Sequence, residues 1–158
     1  PEYVTRDLLA RENFTGRIWE PACGDGAIAK VFVEHGFDVI ATDLIYRGYG
    51  EGDKDFFLEN RIVENIVTNP PYSLGEKFVR HALKMTTGKV AMFVKLVFLE
   101  GQSRRQLFES SPLARVWVYS KRVTQHRNGE DKQYTGMMCF AWFVWEHGYS
   151  GEPVIKWI

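Results

Sequence analysis

Residues 89–96 (KVAMFVKL) constrain this chain more than any other segment. The run is almost wholly apolar, the mark of a strand buried on both faces, as in a parallel sheet covered by helices on either side. Shorter strands are expected at residues 17–20 (RIWE), 37–42 (FDVIAT), 64–68 (ENIVT), 114–119 and 137–145 (MMCFAWFVW). Between them, residues 27–35 carry Ile28, Val31 and Phe32 at helical spacing, and Gly36 ends that helix. Residues 73–85 repeat the pattern with Leu74, Phe78, Val79 and Leu83 behind a Ser73 cap, and 103–108 read as a further helix. A short amphipathic helix opens the chain within residues 1–14, with Thr5 as N-cap and Leu8 and Leu9 on its buried face. Residues 43–60 are interrupted by glycines and read mostly as loop, with room for a short third strand or helix; residues 121–136 are polar and turn-like.

Strands alternating with helices predict a doubly wound α/β domain. The expected sheet has seven strands, mostly parallel, with helices on both faces, and residues 1–158 read as one domain without a separate target-recognition domain. The 20 basic and 20 acidic side chains cancel, which argues against a protein that coats nucleic acid non-specifically, although a local basic patch is compatible with a neutral total. Aromatic residues make up 15% of the chain, for which a Phe- and Trp-rich core is the plain account. Cys23 and Cys139 form neither a metal-ligand pattern nor a disulfide framework, so no metal is expected and a reducing cytoplasm fits. With no membrane-length apolar run and no secretory signal, no membrane partner is expected.

Three clusters fall at the carboxyl ends of expected strands, where open parallel sheets bind ligands. PACGDG follows the first strand, and Gly24 and Gly26 would let a ligand approach the backbone. Asp43 follows the second strand about 20 residues on, where an acid can take both ribose hydroxyls. Asp55 and Phe56 form an acid–aromatic pair suited to an adenine. The turn lacks GxGxxG, and GxxxxGK[ST] is absent, so neither a dinucleotide nor a nucleoside triphosphate is the natural ligand.

Asn69-Pro70-Pro71-Tyr72 ends the fourth expected strand. Two prolines fix the backbone, and Asn69, preceding one, is held extended. The corner presents two acceptors, the Asn69 side-chain oxygen and the Pro70 carbonyl, beside the Tyr72 ring. An amino group on a base is a poor nucleophile because its lone pair is delocalised. Acceptors on both N–H bonds favour a pyramidal nitrogen, and Tyr72 can stack on the base.

The combination of EPACGDG and IVTNPPY resembles the Rossmann-like class I S-adenosylmethionine-dependent methyltransferases, in particular the NPPY amino-methyltransferases of the gamma-like DNA adenine-N6 type and their small phage or prophage relatives. The resemblance implies a sheet whose last strand, the MCFAWFVW segment, is antiparallel. It implies that Glu20, Ala22, Cys23, Gly24 and Gly26 line the methionine end of S-adenosylmethionine, that Asp43 takes the ribose, and that Asp55 and Phe56 take the adenine. Leu44 and Asn69 join the cofactor-binding set. Asn69 and Pro70, with Pro71 and Tyr72, form the catalytic corner, and Tyr72 stacks on the flipped base. Where larger relatives carry a second aromatic clamp, this chain reads SKRVTQHR, with Gln125 and His126 at that point.

A base inside a duplex must be flipped out, or the strand be single, before its amine can react. Lys121, Arg122, His126, Arg127 and Lys132 offer local positive charge for that polymer, with Arg104 and Arg105 as additions and Glu130 and Asp131 as partial neutralisers. The expected activity is methyl transfer to adenine-N6 in DNA. RNA, cytosine and a protein glutamine amide are alternative targets, and a non-catalytic cofactor-binding subunit is an alternative role. A partner chain or a second copy for target recognition stays open.

Overall fold

The computed structural model describes residues 1–123 and 138–158. Among these, seven strands form one sheet: β1 (Ile18–Glu20), β2 (Val39–Ala41), β3 (Val63–Thr68), β4 (Thr86–Lys95), β5 (Leu113–Val118), β6 (Phe140–Glu146) and β7 (Val154–Trp157). Their order is β2-β1-β3-β4-β6-β5-β7. Every pairing is parallel except those of β6, which runs antiparallel between β4 and β5.

The central strand β4 behaves as its sequence requires. Val90, Met92 and Val94 face one apolar cluster, shared with Phe78, Val79 and Ala82 of α3 (Gly75–Met85) and Leu107 of α4 (Gln102–Ser110). Ala91 and Phe93 face the other, shared with Val4 and Leu8 of α1 (Glu2–Leu9) and Phe32 of α2 (Ala29–Glu34). All five β4 residues are buried. Among the described residues, no helix is long and apolar enough to cross a membrane.

The apolar segment expected to close the sheet is antiparallel, but a further strand follows it. β7 adds to the outer edge of β5, with Val116 opposite Ile155 and Val118 opposite Trp157. Three of its four residues, Val154, Ile155 and Trp157, are apolar yet all four are exposed, and so short a run gives little periodicity to read. The third strand sought after Asp43 is reduced to a single bridge between Thr42 and Glu51. Thr5 does not cap α1: it lies buried inside the helix, and Pro1 holds the cap position without a side-chain bond. Ser73 does not cap α3 either. The prolines keep the chain extended to Pro71, a single 3-10 turn (Tyr72–Leu74) follows, and α3 starts at Gly75 without a side-chain cap.

An ion cluster closes the amino-terminal end of the sheet. Glu12 is 3% exposed. It accepts from Lys89 Nζ at 2.8 Å, from Arg115 Nη2 at 2.9 Å and Nε, and from Trp117 Nε1 at 2.9 Å. Glu146 takes a second Arg115 bond at 2.7 Å. Burial opposes ionisation of Glu12, but the bonds from Arg115, Lys89 and Trp117 outweigh it and hold the carboxyl below its ordinary range. Glu12→Ala leaves two partly buried cations sharing Glu146 alone. It is expected to lower unfolding free energy by about 3 kcal/mol, read as a drop in urea midpoint at constant slope.

Candidate active site

β1 pairs in parallel with β2 on one side and β3 on the other, so the strand order reverses at β1. The turn after Glu20 and the Asn69-Pro70-Pro71-Tyr72 corner after Thr68 therefore leave neighbouring strands at the same edge. That is the ligand position of doubly wound sheets.

The turn is tied to the end of β2. Cys23 N–H donates to the Thr42 carbonyl at 3.0 Å, and Gly24 N–H donates to Asp43 Oδ2 at 2.8 Å. Asp43 Oδ1 accepts from Ile45 N–H at 3.0 Å. A carboxylate offers about four acceptor sites, so these two bonds fix its direction and leave capacity for a ligand's hydroxyls. The neighbouring Trp19 indole anchors the same region by donating to Thr42 Oγ1 at 2.9 Å.

Glu20 is 2% exposed and accepts from Ala29 N–H at 2.7 Å, which sets the start of α2. Burial pushes its carboxyl well above the ordinary range; the Ala29 bond works against that, and nearby Asp25 and Asp43 add to it. Burial, with Glu20 and Asp43 next to it, pushes the Cys23 thiol up to about 12, so it stays protonated and inert as a nucleophile at neutral pH.

The two glycines do different work. Both have left-handed backbones, with φ 55° at Gly24 and 84° at Gly26. A Cβ on Gly24 would meet nothing within 4 Å, whereas one on Gly26 would collide with the Tyr49 ring. Gly24 thus presents open backbone, and Gly26 makes room for Tyr49. Lys30 Nζ lies 5.1 Å from the centre of that ring. The loop carrying Tyr49 is held at Glu51, which bridges two residues at the end of β2: Asp43 N–H donates to Glu51 O, and Glu51 N–H to Ala41 O, each at 2.9 Å. Sequence reasoning passed over Tyr49; the signal available was its place between Gly48 and Gly50.

Of the remaining expected cofactor residues, Ala22 is half-buried beside the turn and Leu44 is 61% exposed. Asp55 Oδ1 accepts from Phe57 N–H at 2.9 Å and caps the 3-10 turn Phe56–Leu58. Phe56 is 3% exposed, its ring packed among Trp19, Phe78 and His81, so little of it is left for a ligand.

At the corner, Asn69 and Pro71 are exposed and Pro70 is buried. Tyr72 is 53% exposed, and Lys95 Nζ, at the end of β4, lies 4.2 Å from its ring centre. Lys121 and Arg122 are exposed just beyond β5, three strand positions from β3, across β4 and β6. Arg104 and Arg105 are otherwise engaged: Arg104 donates to the Phe98 carbonyl, and Arg105 pairs with Glu109, both at 2.8 Å. His126, Arg127 and Lys132, with Gln125, Glu130 and Asp131, lie outside the described residues.

The chain matches no protein-family model and no curated protein by sequence. Solved structures do match. The modification subunit assigned to a type I restriction enzyme of Vibrio vulnificus YJ016 aligns over 100% of this chain with a TM-score of 0.67 at 14% identity. This chain spans 46% of that subunit's length. A protein of Pyrococcus horikoshii assigned as an RNA methyltransferase aligns over 91% of this chain and 79% of its own, with a TM-score of 0.60 at 14% identity. Magnesium protoporphyrin IX methyltransferase of Synechocystis PCC 6803, solved with bound S-adenosylmethionine, aligns over 92% and 76%, with a TM-score of 0.60 at 11% identity. At these identities the likeness is one of fold: the sheet is the Rossmann-like sheet of class I methyltransferases.

Two expectations test this geometry. Gly24→Ala should cost roughly 1 kcal/mol for its left-handed backbone alone. Gly26→Ala should cost roughly 2 kcal/mol more, and Tyr49→Ala should recover part of that excess in a double-mutant cycle by chemical denaturation. For Glu20, the folded chain holds its proton more tightly than the unfolded chain. Its contribution to stability is therefore present at low pH and lost as pH rises from the ordinary carboxylate range through the raised one. Glu20→Gln removes that fall, so its stability relative to the parent should climb with pH across this window.

Proposed function

We propose that this chain transfers a methyl group from S-adenosylmethionine to an exocyclic amino nitrogen, with adenine-N6 in DNA as the target. The observation that carries the reading is the meeting of a glycine turn, held to Asp43, with an Asn-Pro-Pro-Tyr corner at the ends of adjacent parallel strands. The donor set suits the cofactor. The open backbone at Gly24 can receive its methionine end, beside Cys23 and the buried Glu20. The oriented Asp43 carboxylate suits the ribose, and Leu44 and Asp55 suit the adenine. When bound, S-adenosylmethionine supplies an electrophilic methyl on a sulfonium.

The chain's own residues then have defined tasks. Asn69 Oδ1 and the Pro70 carbonyl accept the two hydrogens of the target amine and draw its lone pair out of conjugation. Pro71 locks the corner, so those acceptors need no reorganisation when the amine arrives. Tyr72, half exposed, offers a ring on which a flipped base can stack. The amine's excess proton passes to solvent after transfer, and no strong base is required. The fold likeness to a restriction-modification subunit supports DNA as the polymer.

Asn69→Ala should keep cofactor affinity within a few-fold by calorimetry, yet lower transfer of tritiated methyl to DNA by roughly 100-fold or more. RNA and protein run in parallel identify the polymer. Transfer by the variant at the parent rate would remove the assignment of Asn69, and transfer by the parent to none of the three would remove the reading.

A further inference from the structure

The two ends of the sheet treat their cations differently. At the amino-terminal end, Arg17 pairs with Asp38 at 2.7 Å, Lys89 with Glu12 at 2.8 Å, and Arg115 with both Glu12 and Glu146. At the carboxyl end, Lys95, Lys121 and Arg122 form no ion pair with a carboxylate among the described residues. Lys89 and Lys95 stand in one strand, β4: the first is neutralised, and the second rests on the Tyr72 ring. Lys121 and Arg122 follow β5 at the same edge. Next to them, Trp157 ends β7, in register with Val118 and 68% exposed.

Net charge hides this arrangement, because it sums over paired and unpaired groups alike. Cations without an ion-pair partner among the described residues, interleaved with exposed rings, are the makings of a single-stranded polynucleotide track, where ammonium and guanidinium groups meet phosphates and aromatic faces meet bases. We infer that a nucleic-acid strand lies along the carboxyl edge of the sheet, from Tyr72 past Lys95 to Lys121 and Arg122, with a base on Trp157. The inference rests on the methyl-transfer reading only in taking Tyr72 as the point where the target base is received. Four strand spacings separate β3 from β7, roughly 20 Å, the span of several phosphates. Lys95 and Trp157 are the residues it adds. Lys95 is the cation at the ring that receives the target base, and Trp157 anchors the strand at the far end.

Binding of fluorescently labelled oligonucleotides, followed by anisotropy over a salt series without cofactor, tests this apart from turnover. Single-stranded DNA, single-stranded RNA of the same sequence and duplex DNA form the three arms. The parent should bind a single strand more tightly than the duplex, and the stronger single-strand arm identifies the sugar. Lys95→Met should weaken binding and lower the slope of log affinity against log salt by about one, and Lys121→Ala with Arg122→Ala by about two. Trp157→Ala should weaken binding roughly tenfold with little change in slope. Lys95→Arg should restore the slope, which a purely packing role for Lys95 would not predict. Thermal melting of each variant separates lost binding from lost folding. A parent that binds no oligonucleotide, or folded variants that all bind as the parent does, would overturn the track. Binding along this edge with no methyl transfer would instead count against the enzymatic reading and leave the track standing.

Discussion

Ile18–Glu20 hydrogen-bonds in parallel to Val39–Ala41 on one side and to β3 on the other, and the candidate site depends on that shared strand. Parallel pairing sends three chain segments off the same edge: the glycine turn, the Asp43 loop and the Asn-Pro corner. A strand of three residues has little ladder of its own to resist slippage. Side chains supply the rest. Trp19 is fully buried and donates to Thr42, the Gly24 amide is fixed on Asp43, and Glu20 receives the first amide of α2. The first two bonds tie the β1 segment to the end of β2, so a one-residue shift would break both together, while the third fixes the start of α2 against β1. Register and site geometry are therefore set by the same contacts.

The core was legible where burial is complete. Residues 90–94 of β4 and 140–145 of β6 are continuous apolar runs, and both stretches are fully buried. The helix α3 was legible because Phe78, Val79 and Leu83 recur at helical spacing, although the structure buries Ala82 more fully than Leu83. Legibility failed where burial is absent or local geometry decides. The exposed β7 is apolar at Val154, Ile155 and Trp157 but only four residues long, and its pairing is chosen by the free edge of β5. Thr5 carries the chemistry of a cap, but its methyl and hydroxyl are buried within α1, where packing decided its place over local capping. Glu12 and Arg115, separated by 103 positions, meet only through the folded sheet.

Within the candidate site, backbone position was more legible than ring position. Gly24 and Asp43 meet after β1 and β2, and Asn69 and Pro70 follow β3, as their spacing along the chain suggests. Rings are placed by tertiary packing. Phe56 went to the core among Trp19, Phe78 and His81, while Tyr49 moved onto Gly26. The reason for a glycine also differs between positions of one turn: open approach at the first, a packed tyrosine at the second. A sequence gives both the same letter.

Composition was least informative about charge. Twenty acids against twenty bases reads as neutrality, yet neutrality is a sum over places. A buried acid such as Glu12 needs cations beside it and removes them from the account of the surface. Glu12 and Glu146 take up Lys89 and Arg115 at one end of the sheet, whereas Lys95, Lys121 and Arg122 at the other have no ion-pair partner among the described residues to cancel their local field. That field matters most where solvent is partly excluded, as at the half-buried Lys95 over Tyr72. A chain with no net charge can thus carry locally basic positions, because where its acids sit decides which of its cations are neutralised.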